Sequence, residues 1–208
     1  MTMREAHIAG LPVRIFRISF TGELSYEINI RARHGLALWT HLMKAGAEFG
    51  ITPYGTEAMH VLRAEKGFII VGQETDGSVT PQDLGMDWIV SKVKPDFIGK
   101  RALERASMAA DNRKQLVGLR TKERKQVIPE GAHAVLDPNQ PMPMDMLGQV
   151  TSSYYSPNVA SSIAMAMLKG GRALMGGTVY LPMLDGSVIE AEVVEPIFYD
   201  PKGERLNG

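Results

Sequence analysis

The second half of the chain places the strongest constraint on the fold, because it consists of short strand-like runs with hardly any helical period. Gly, Pro, Asn and Asp separate these runs, notably in "DPNQPMP" and "LDGS". The predicted strands are "QLVGLRT", "GAHAVL", "LGQVTSSYYS", "SSIAMAML", "GTVYLPML" and "SVIEAEVVEPIFY". A small antiparallel barrel or sandwich is therefore expected here.

The first half begins with a predicted pair of strands. From Leu11 onward apolar residues supply a strand-like pattern, and "TGELS" makes a turn. The return strand, residues 26–30, carries its apolar side chains on one face. Because side chains alternate along a strand, Glu27 and Asn29 must lie on the other face. A carboxylate there is either a solvated residue or part of a binding site.

Two segments whose apolar residues have helical spacing follow the two strands. "HGLALWTHLMKAGAEFG" predicts an amphipathic helix that ends at Gly50, and "TEAMHVLRAEKG" a second helix from Thr56 to Gly67. "FIIVG" is expected to form a short buried strand, and residues 73–85 a long loop. A strand over residues 84–90 and a third helix in "FIGKRALERASMAA" complete this half.

Composition excludes several function classes. Lys+Arg and Asp+Glu both number 23, so the balanced charge gives no footprint for nucleic acid or an anionic membrane. The absence of cysteine excludes disulfides, thiolate metal sites and a thiol nucleophile within this chain. The five His residues never stand at metal-ligand spacing, so no metal site is expected. With neither a signal-peptide pattern nor an apolar run of membrane length, a cytoplasmic location is expected.

Four short blocks of the sequence resemble segments of one protein family. "FTGELSYE", Phe20 to Glu27, resembles the folate-site signature of the aminomethyltransferase (glycine-cleavage T-protein) family. Three further blocks are similar to that family and follow its order along the chain: "LRAEKG", "DFIGKRAL" and "GQVTSSYYSPNVASSIAMAML". The blocks are spread along most of the chain, from Phe20 to Leu168, which makes the resemblance far more specific than one octapeptide would be.

The resemblance implies an α+β fold with two parts. Residues 1–112 would be the C-terminal part of an aminomethyltransferase-like folate-binding domain, and residues 113–208 an antiparallel β-barrel domain. Within the family, "SFTGELSYEI" and "GQETDGSVTPQDLGMDWIVSKVKPDFIGK" look most like the C-terminal region of heterotetrameric sarcosine oxidase alpha subunits. The chain is therefore expected to be a C-terminal fragment or truncated copy, with apolar surface exposed where the fold is cut.

The resemblance also implies the site residues. Glu27 would accept both N–H groups of the pterin edge of tetrahydrofolate, and Phe20 would contact the pterin ring. Arg63 could reach the glutamate tail or its surroundings, or equally form an ion pair with Glu65 or another helix residue. Glu23 is expected to organise the turn. Ser25 replaces a glycine of the signature, which leaves the turn geometry open.

The implied reaction is the capture by tetrahydrofolate of the one-carbon unit from sarcosine, which gives 5,10-methylenetetrahydrofolate. FAD, FMN and NAD are expected elsewhere in the complex, together with the beta, gamma and delta subunits and the N-terminal part of the alpha subunit. No catalytic residue is expected in this chain, and the chain alone is expected to be inactive. A T-protein fragment, a dimethylglycine or sarcosine dehydrogenase tail, and a non-catalytic folate module are alternatives.

Overall fold

The computed structural model describes residues 1–208 and confirms the predicted α+β class. Contacts divide the chain into two units. The first unit contains Met1–Arg63 and Lys202–Gly208, and the second contains Ala64–Pro201. The domain boundary predicted near residue 112 falls within the second unit and stays a prediction.

A three-stranded antiparallel sheet forms the centre of the first unit. Its strands are β1 (Met3–Ile8), β2 (Leu11–Phe16) and β3 (Glu27–Asn29), in the spatial order β1-β2-β3. The predicted pairing of the strand from Leu11 with the strand that carries Glu27 is confirmed. Sequence reasoning missed β1, because most of its residues are exposed and it has no clean apolar alternation.

Two helices follow the sheet. Helix α1 (Gly35–Gly46) continues as a 3-10 turn to Phe49 and ends at Gly50, whose φ of 71° is left-handed, so the predicted end is confirmed. Helix α2 (Thr56–Glu65) also lies where it was predicted. No helix in the chain is long and apolar enough to cross a membrane.

The stretch after α2 differs from the prediction. Residues 68–72 make only an isolated bridge from Val71 to Thr75, and residues 84–90 contain a 3-10 turn at Asp87–Ile89 in place of a strand. The third helix is limited to α3 (Lys100–Leu103). The apolar side chains that suggested strands are used for packing instead, as described below.

All six predicted strands of the second half are present, and they form a barrel. They are β4 (Lys114–Thr121), β5 (His133–Ala134), β6 (Gly148–Ser156), β7 (Ser161–Lys169), β8 (Thr178–Pro182) and β9 (Val188–Val194). The sheet order is β5-β6-β7-β4-β9-β8. Val135 closes the ring, since its N–H donates to Tyr180 O at 2.8 Å and its carbonyl accepts from Tyr180 N at 3.0 Å.

Strand β7 is buried on both faces. Ala164, Ala166 and Leu168 belong to the core inside the barrel, while the alternate residues Met165 and Met167 belong to a second core on its outer side. Three residues that the sequence assigned to strands or a loop cover this outer side: Ile69, Val79 and Leu84. The segment after α2 therefore packs on the barrel rather than forming a sheet of its own.

Buried carboxylates fix this segment on the outer face of β6. Glu65 is 1% exposed and accepts hydrogen bonds from Ser156 Oγ at 2.5 Å and Asn158 Nδ2 at 2.9 Å. Glu74, also 1% exposed, accepts from Ser152 Oγ and from Ile70 N at 2.7 Å. Because buried charge is costly unless hydrogen-bonded, these contacts specify where the segment must lie.

Asp83 supplies a third anchor. Its carboxylate accepts from Arg113 Nε at 2.9 Å and from Thr80 N at 2.8 Å, and it is 4% exposed. Burial acts to raise the pKa of Asp83, but the hydrogen bonds from Arg113 and Thr80 outweigh burial and hold this pKa below its ordinary value. The same contact raises the pKa of Arg113. Asp83 thus remains ionised in the folded chain at neutral pH.

Replacement of Asp83 should lower the free energy of unfolding. Asp83→Asn is expected to lower the free energy of unfolding at pH 7 by about 3 kcal/mol, because Arg113 loses its ionised partner. The folded-state pKa of Asp83 lies below the unfolded-state value of about 3.9, so its stabilisation is present above that value and is lost as the pH falls through the folded-state pKa. Urea titrations from pH 7 to 3 would measure both effects.

The exposed Asp87, four residues along the chain, provides the control. Asp87→Asn should change the unfolding free energy by less than about 0.5 kcal/mol, as surface substitutions usually do. A difference between Asp83→Asn and the unsubstituted chain that stays constant down to pH 3 would contradict the role given to Asp83.

Candidate functional site

The loop that joins β2 to β3 contains most of the folate-site signature and is held by its own hydroxyl groups. Ser19 Oγ accepts from Gly22 N at 2.9 Å, and Ser25 Oγ donates to Glu23 O at 3.1 Å. Gly22 has a φ of 83°, which favours glycine, whereas Ser25 has no left-handed φ. The serine at the glycine position of the signature therefore adds a hydrogen bond without backbone strain.

Residues near the C-terminus hold the same loop. Glu23 Oε1 forms an ion pair with Arg205 Nε at 2.5 Å, and Leu24 N donates to Arg205 O at 3.0 Å. Arg17 at the start of the loop donates to Leu206 O at 3.1 Å. The contact with Arg205 is consistent with the structural role predicted for Glu23.

Glu27 begins β3 on the exposed face of the sheet. The register places Glu27 opposite Phe16 and Asn29 opposite Arg14, which is in turn opposite Glu5. Directly opposed residues point to the same side of a sheet, so these five side chains share one face. The prediction that Glu27 and Asn29 share a face is confirmed. Sequence reasoning missed Phe16 and Arg14, because only the strand register reveals them as neighbours.

A cleft of about 560 Å³ opens along this sheet. Its lining includes Asn29 and Arg14, and two further basic groups, His7 and Arg31. Glu5 is the acidic residue among them. The cleft therefore combines charged and apolar lining, and Glu27 is not among its lining residues.

The three predicted folate residues lie in different environments. Glu27 is exposed at the start of its strand, Phe20 is half-buried in the loop, and Arg63 in α2 is fully buried. Glu65, which the sequence offers as an alternative ion-pair partner for Arg63, accepts hydrogen bonds from Ser156 and Asn158, and its pairing with Arg63 stays a prediction. A common ligand for Glu27, Phe20 and Arg63 stays a prediction.

Comparison with protein families accounts for both parts of the chain. Residues 1–94 match the GCVT N-terminal domain, and residues 114–200 match the glycine cleavage T-protein C-terminal barrel domain. The chain belongs to the glycine cleavage T-protein family. The second match covers the six-stranded barrel described above, and the family predicted from the four sequence blocks is confirmed.

Two curated relatives place the chain more closely within this family. It is 48% identical over 204 residues to the sarcosine oxidase subunit alpha of Corynebacterium sp. (strain P-1), covering 96% of this chain and 21% of that subunit. It is 34% identical to the aminomethyltransferase of Halothermothrix orenii, covering 90% of this chain and 50% of that enzyme. The predicted similarity to sarcosine oxidase alpha subunits is confirmed, and the chain spans about a fifth of their length.

A solved structure shows the same fold. The chain matches the glycine cleavage system aminomethyltransferase T of Bartonella henselae with a TM-score of 0.77 and 25% sequence identity. The match covers 91% of this chain and 50% of the Bartonella chain. The barrel and the preceding part thus follow the fold of one half of an aminomethyltransferase.

The loop geometry yields a test at Gly22. Gly22→Ala is expected to lower the free energy of unfolding by about 1–2 kcal/mol, because an alanine at a φ of 83° brings its Cβ against the following carbonyl. Chemical denaturation of the two chains would measure the difference. Gly35→Ala is the control, since Gly35 has a φ of −57° and open space around its Cβ position. Equal stability of the two variants would contradict the conformation assigned to Gly22.

Proposed function

We propose that this chain is the folate-binding part of a sarcosine oxidase alpha subunit. The observation that carries the proposal is the exposed carboxylate of Glu27 on a hydrogen-bonded strand within the folate-site signature. The 48% identity to a sarcosine oxidase subunit alpha supports this subfamily over the aminomethyltransferases, for which 34% identity is found.

Glu27 has the chemistry that the pterin edge requires. That edge presents two adjacent N–H donors, N3–H and the 2-amino group, and an ionised carboxylate can accept both in a two-pronged, charge-assisted pair. The strand holds the Glu27 backbone through its pairing with Phe16, so little ordering is needed when a ligand arrives. The two N–H donors of the pterin edge therefore match the two carboxylate oxygens of Glu27.

Neighbouring residues would orient the rest of the ligand. Phe20 in the signature loop is proposed to contact the pterin ring through its apolar face. Asn29 and Arg14 on the face of Glu27 can donate hydrogen bonds to polar atoms of the same ligand. Arg63 is proposed to act near the glutamate tail, and because its side chain is fully buried it would act through the residues that cover it rather than by direct contact.

Bound tetrahydrofolate supplies the amine that takes up the one-carbon unit released from sarcosine. The work of this chain is then to hold the pterin so that this amine faces the incoming unit, which is catalysis by proximity and orientation. We propose no catalytic acid or base here. The FAD, FMN and NAD sites belong to other parts of a cytoplasmic complex with beta, gamma and delta subunits and the rest of the alpha subunit.

A second candidate is a piece of an aminomethyltransferase or of a dimethylglycine dehydrogenase. The Bartonella structure and the 33% identity to human mitochondrial dimethylglycine dehydrogenase favour it. Isolation of the native protein would discriminate the candidates. Flavin-containing subunits that co-purify support the sarcosine oxidase proposal, whereas a lipoylated carrier protein supports the aminomethyltransferase. Folate binding without either partner supports a non-catalytic folate module.

Glu27→Gln should weaken folate binding in the native complex. A neutral amide keeps the size of the side chain but loses the charge, and hydrogen bonds to charged groups contribute about 1.5–3 kcal/mol, so the Kd for folinic acid should rise about 10- to 100-fold. Isothermal titration calorimetry would measure the Kd. Amine oxidation at the flavin should stay at the unsubstituted rate, since Glu27 is proposed to act only on folate.

Glu48→Gln is the matched control, because Glu48 is also exposed but lies outside the signature. It should leave the Kd unchanged. Two outcomes would overturn the proposal: an unchanged Kd in Glu27→Gln, or an equal loss of folate binding and of amine oxidation, which would make Glu27 a structural residue.

A further inference from the structure

The loop that joins β5 to β6 carries a dense group of methionines. Three of the thirteen methionines lie within the run "MPMDM", at Met142, Met144 and Met146. Met142 is 80% exposed and Met146 is 43% exposed, while Met144 is half-buried. All other methionines of the second unit are half-buried or buried, so this loop is where that unit presents thioether groups to solvent.

Packing does not explain the exposed methionines of this loop. Methionine normally fills irregular gaps in a core. Met165 and Met167 on β7 are of that kind, since they are 0% and 5% exposed and belong to the core on the outer side of the barrel. Met142 and Met146 belong to neither core of the barrel. Their sulfur atoms are therefore available for chemistry with small molecules in solution.

Hydrogen bonds hold the two sides of the loop on either side of Met142. Gln140 Oε1 accepts from Asp145 N at 2.9 Å, and Gln140 Nε2 donates to Asp137 O at 3.1 Å. Residues 141–144 lie between Gln140 and Asp145. Met142 therefore reaches solvent in the folded chain, without any opening of the barrel.

We propose that Met142 and Met146 form a site of reversible oxidation by hydrogen peroxide. A lone pair of the thioether sulfur attacks one peroxide oxygen, the O–O bond breaks, and that oxygen forms the sulfoxide. The other oxygen leaves with both protons as water, so the sulfur loses two electrons and the peroxide gains them. A methionine sulfoxide reductase reverses the step with a dithiol, which becomes a disulfide while the sulfoxide oxygen leaves as water.

The source of the peroxide rests on the proposed function. An oxidase whose flavin passes two electrons from an amine to O₂ releases hydrogen peroxide, so its subunits meet this oxidant during turnover. A sulfoxide at Met142 would keep contact with water, whereas one at Met165 would place a polar group in a core. Oxidation of the loop should therefore leave the barrel folded.

Added peroxide tests the site without any assumption about the function. The full 208-residue chain would be treated with hydrogen peroxide, and the sulfoxide at each methionine would be followed by mass spectrometry of its peptides. Sulfoxide should form at Met142 at least about tenfold faster than at Met167, because oxidation follows exposure. In concentrated urea the two rates should become equal. Equal rates in the folded chain would overturn the inference.

Variants assign the fast oxidation to particular side chains. The double replacement of Met142→Leu with Met146→Leu should remove fast sulfoxide formation from the peptide of residues 137–147 and leave the urea midpoint unchanged. Met183→Leu is the matched control, because Met183 is half-buried against the core inside the barrel, and it should keep the fast formation. Fast formation that survives the double replacement would contradict the assignment.

Reversibility has its own measurement. Reductases of the two classes, one for each sulfoxide epimer, should return the oxidised peptide to its original mass when supplied with dithiothreitol. A sulfoxide at Met142 that both reductases leave in place in the folded chain would overturn the reversible part of the proposal.

The native complex separates failure of the site from failure of the proposed function. During turnover with sarcosine, sulfoxide should accumulate at Met142, and added catalase should lower its yield by removing the peroxide. If the complex releases no peroxide, the proposed function is wrong, and the rates with added peroxide still decide the site. Released peroxide with Met142 still reduced would overturn the inference.

Discussion

The position of the segment after α2, within the second unit, depends on three buried carboxylates. Glu65, Glu74 and Asp83 each lie almost completely out of solvent, and each accepts hydrogen bonds from more than one donor. Two of these carboxylates bind serine hydroxyls on β6. They hold the segment after α2 on the barrel, and this segment in turn gives β7 its second buried face.

Such anchors act more through specificity than through net stabilisation. Ionised groups lose a large hydration energy on burial, and their hydrogen bonds mainly compensate for that loss. Any other path of the segment, however, would leave a buried charge without donors, which is much more costly. We infer that the anchors exclude competing arrangements of a segment that has little regular secondary structure.

The same contacts explain which parts of the fold were predictable. The six barrel strands follow from apolar alternation and turn residues, which are local properties, and all six were found. The apolar runs near Ile69 and Leu84 were misread as strands, because their burial comes from distant barrel residues rather than from a sheet of their own. The short α3 shows the same limit, since helical spacing alone did not determine its length.

The residues of the candidate site were likewise predictable from the sequence only in part. Alternation along a single strand was enough to place Glu27 and Asn29 on one face, and the signature loop was recognisable as a continuous run of letters. Phe16 and Arg14 joined that face only through cross-strand register, which depends on the conformation of the loop over residues 17–26 between the two strands. The burial of Arg63 was equally inaccessible, because the pattern of α2 does not reveal what surrounds that helix.

The ring closure between Val135 and Tyr180 has a consequence for how copies of the protein meet. Every barrel strand pairs on both sides, so the barrel offers no continuous row of free N–H and carbonyl groups to another molecule. The small sheet of the first unit ends instead at β1 and at the three-residue β3. Cross-β aggregation in concentrated solution would therefore start from these two margins, and a strand that annealed to β3 would also obstruct the approach to Glu27.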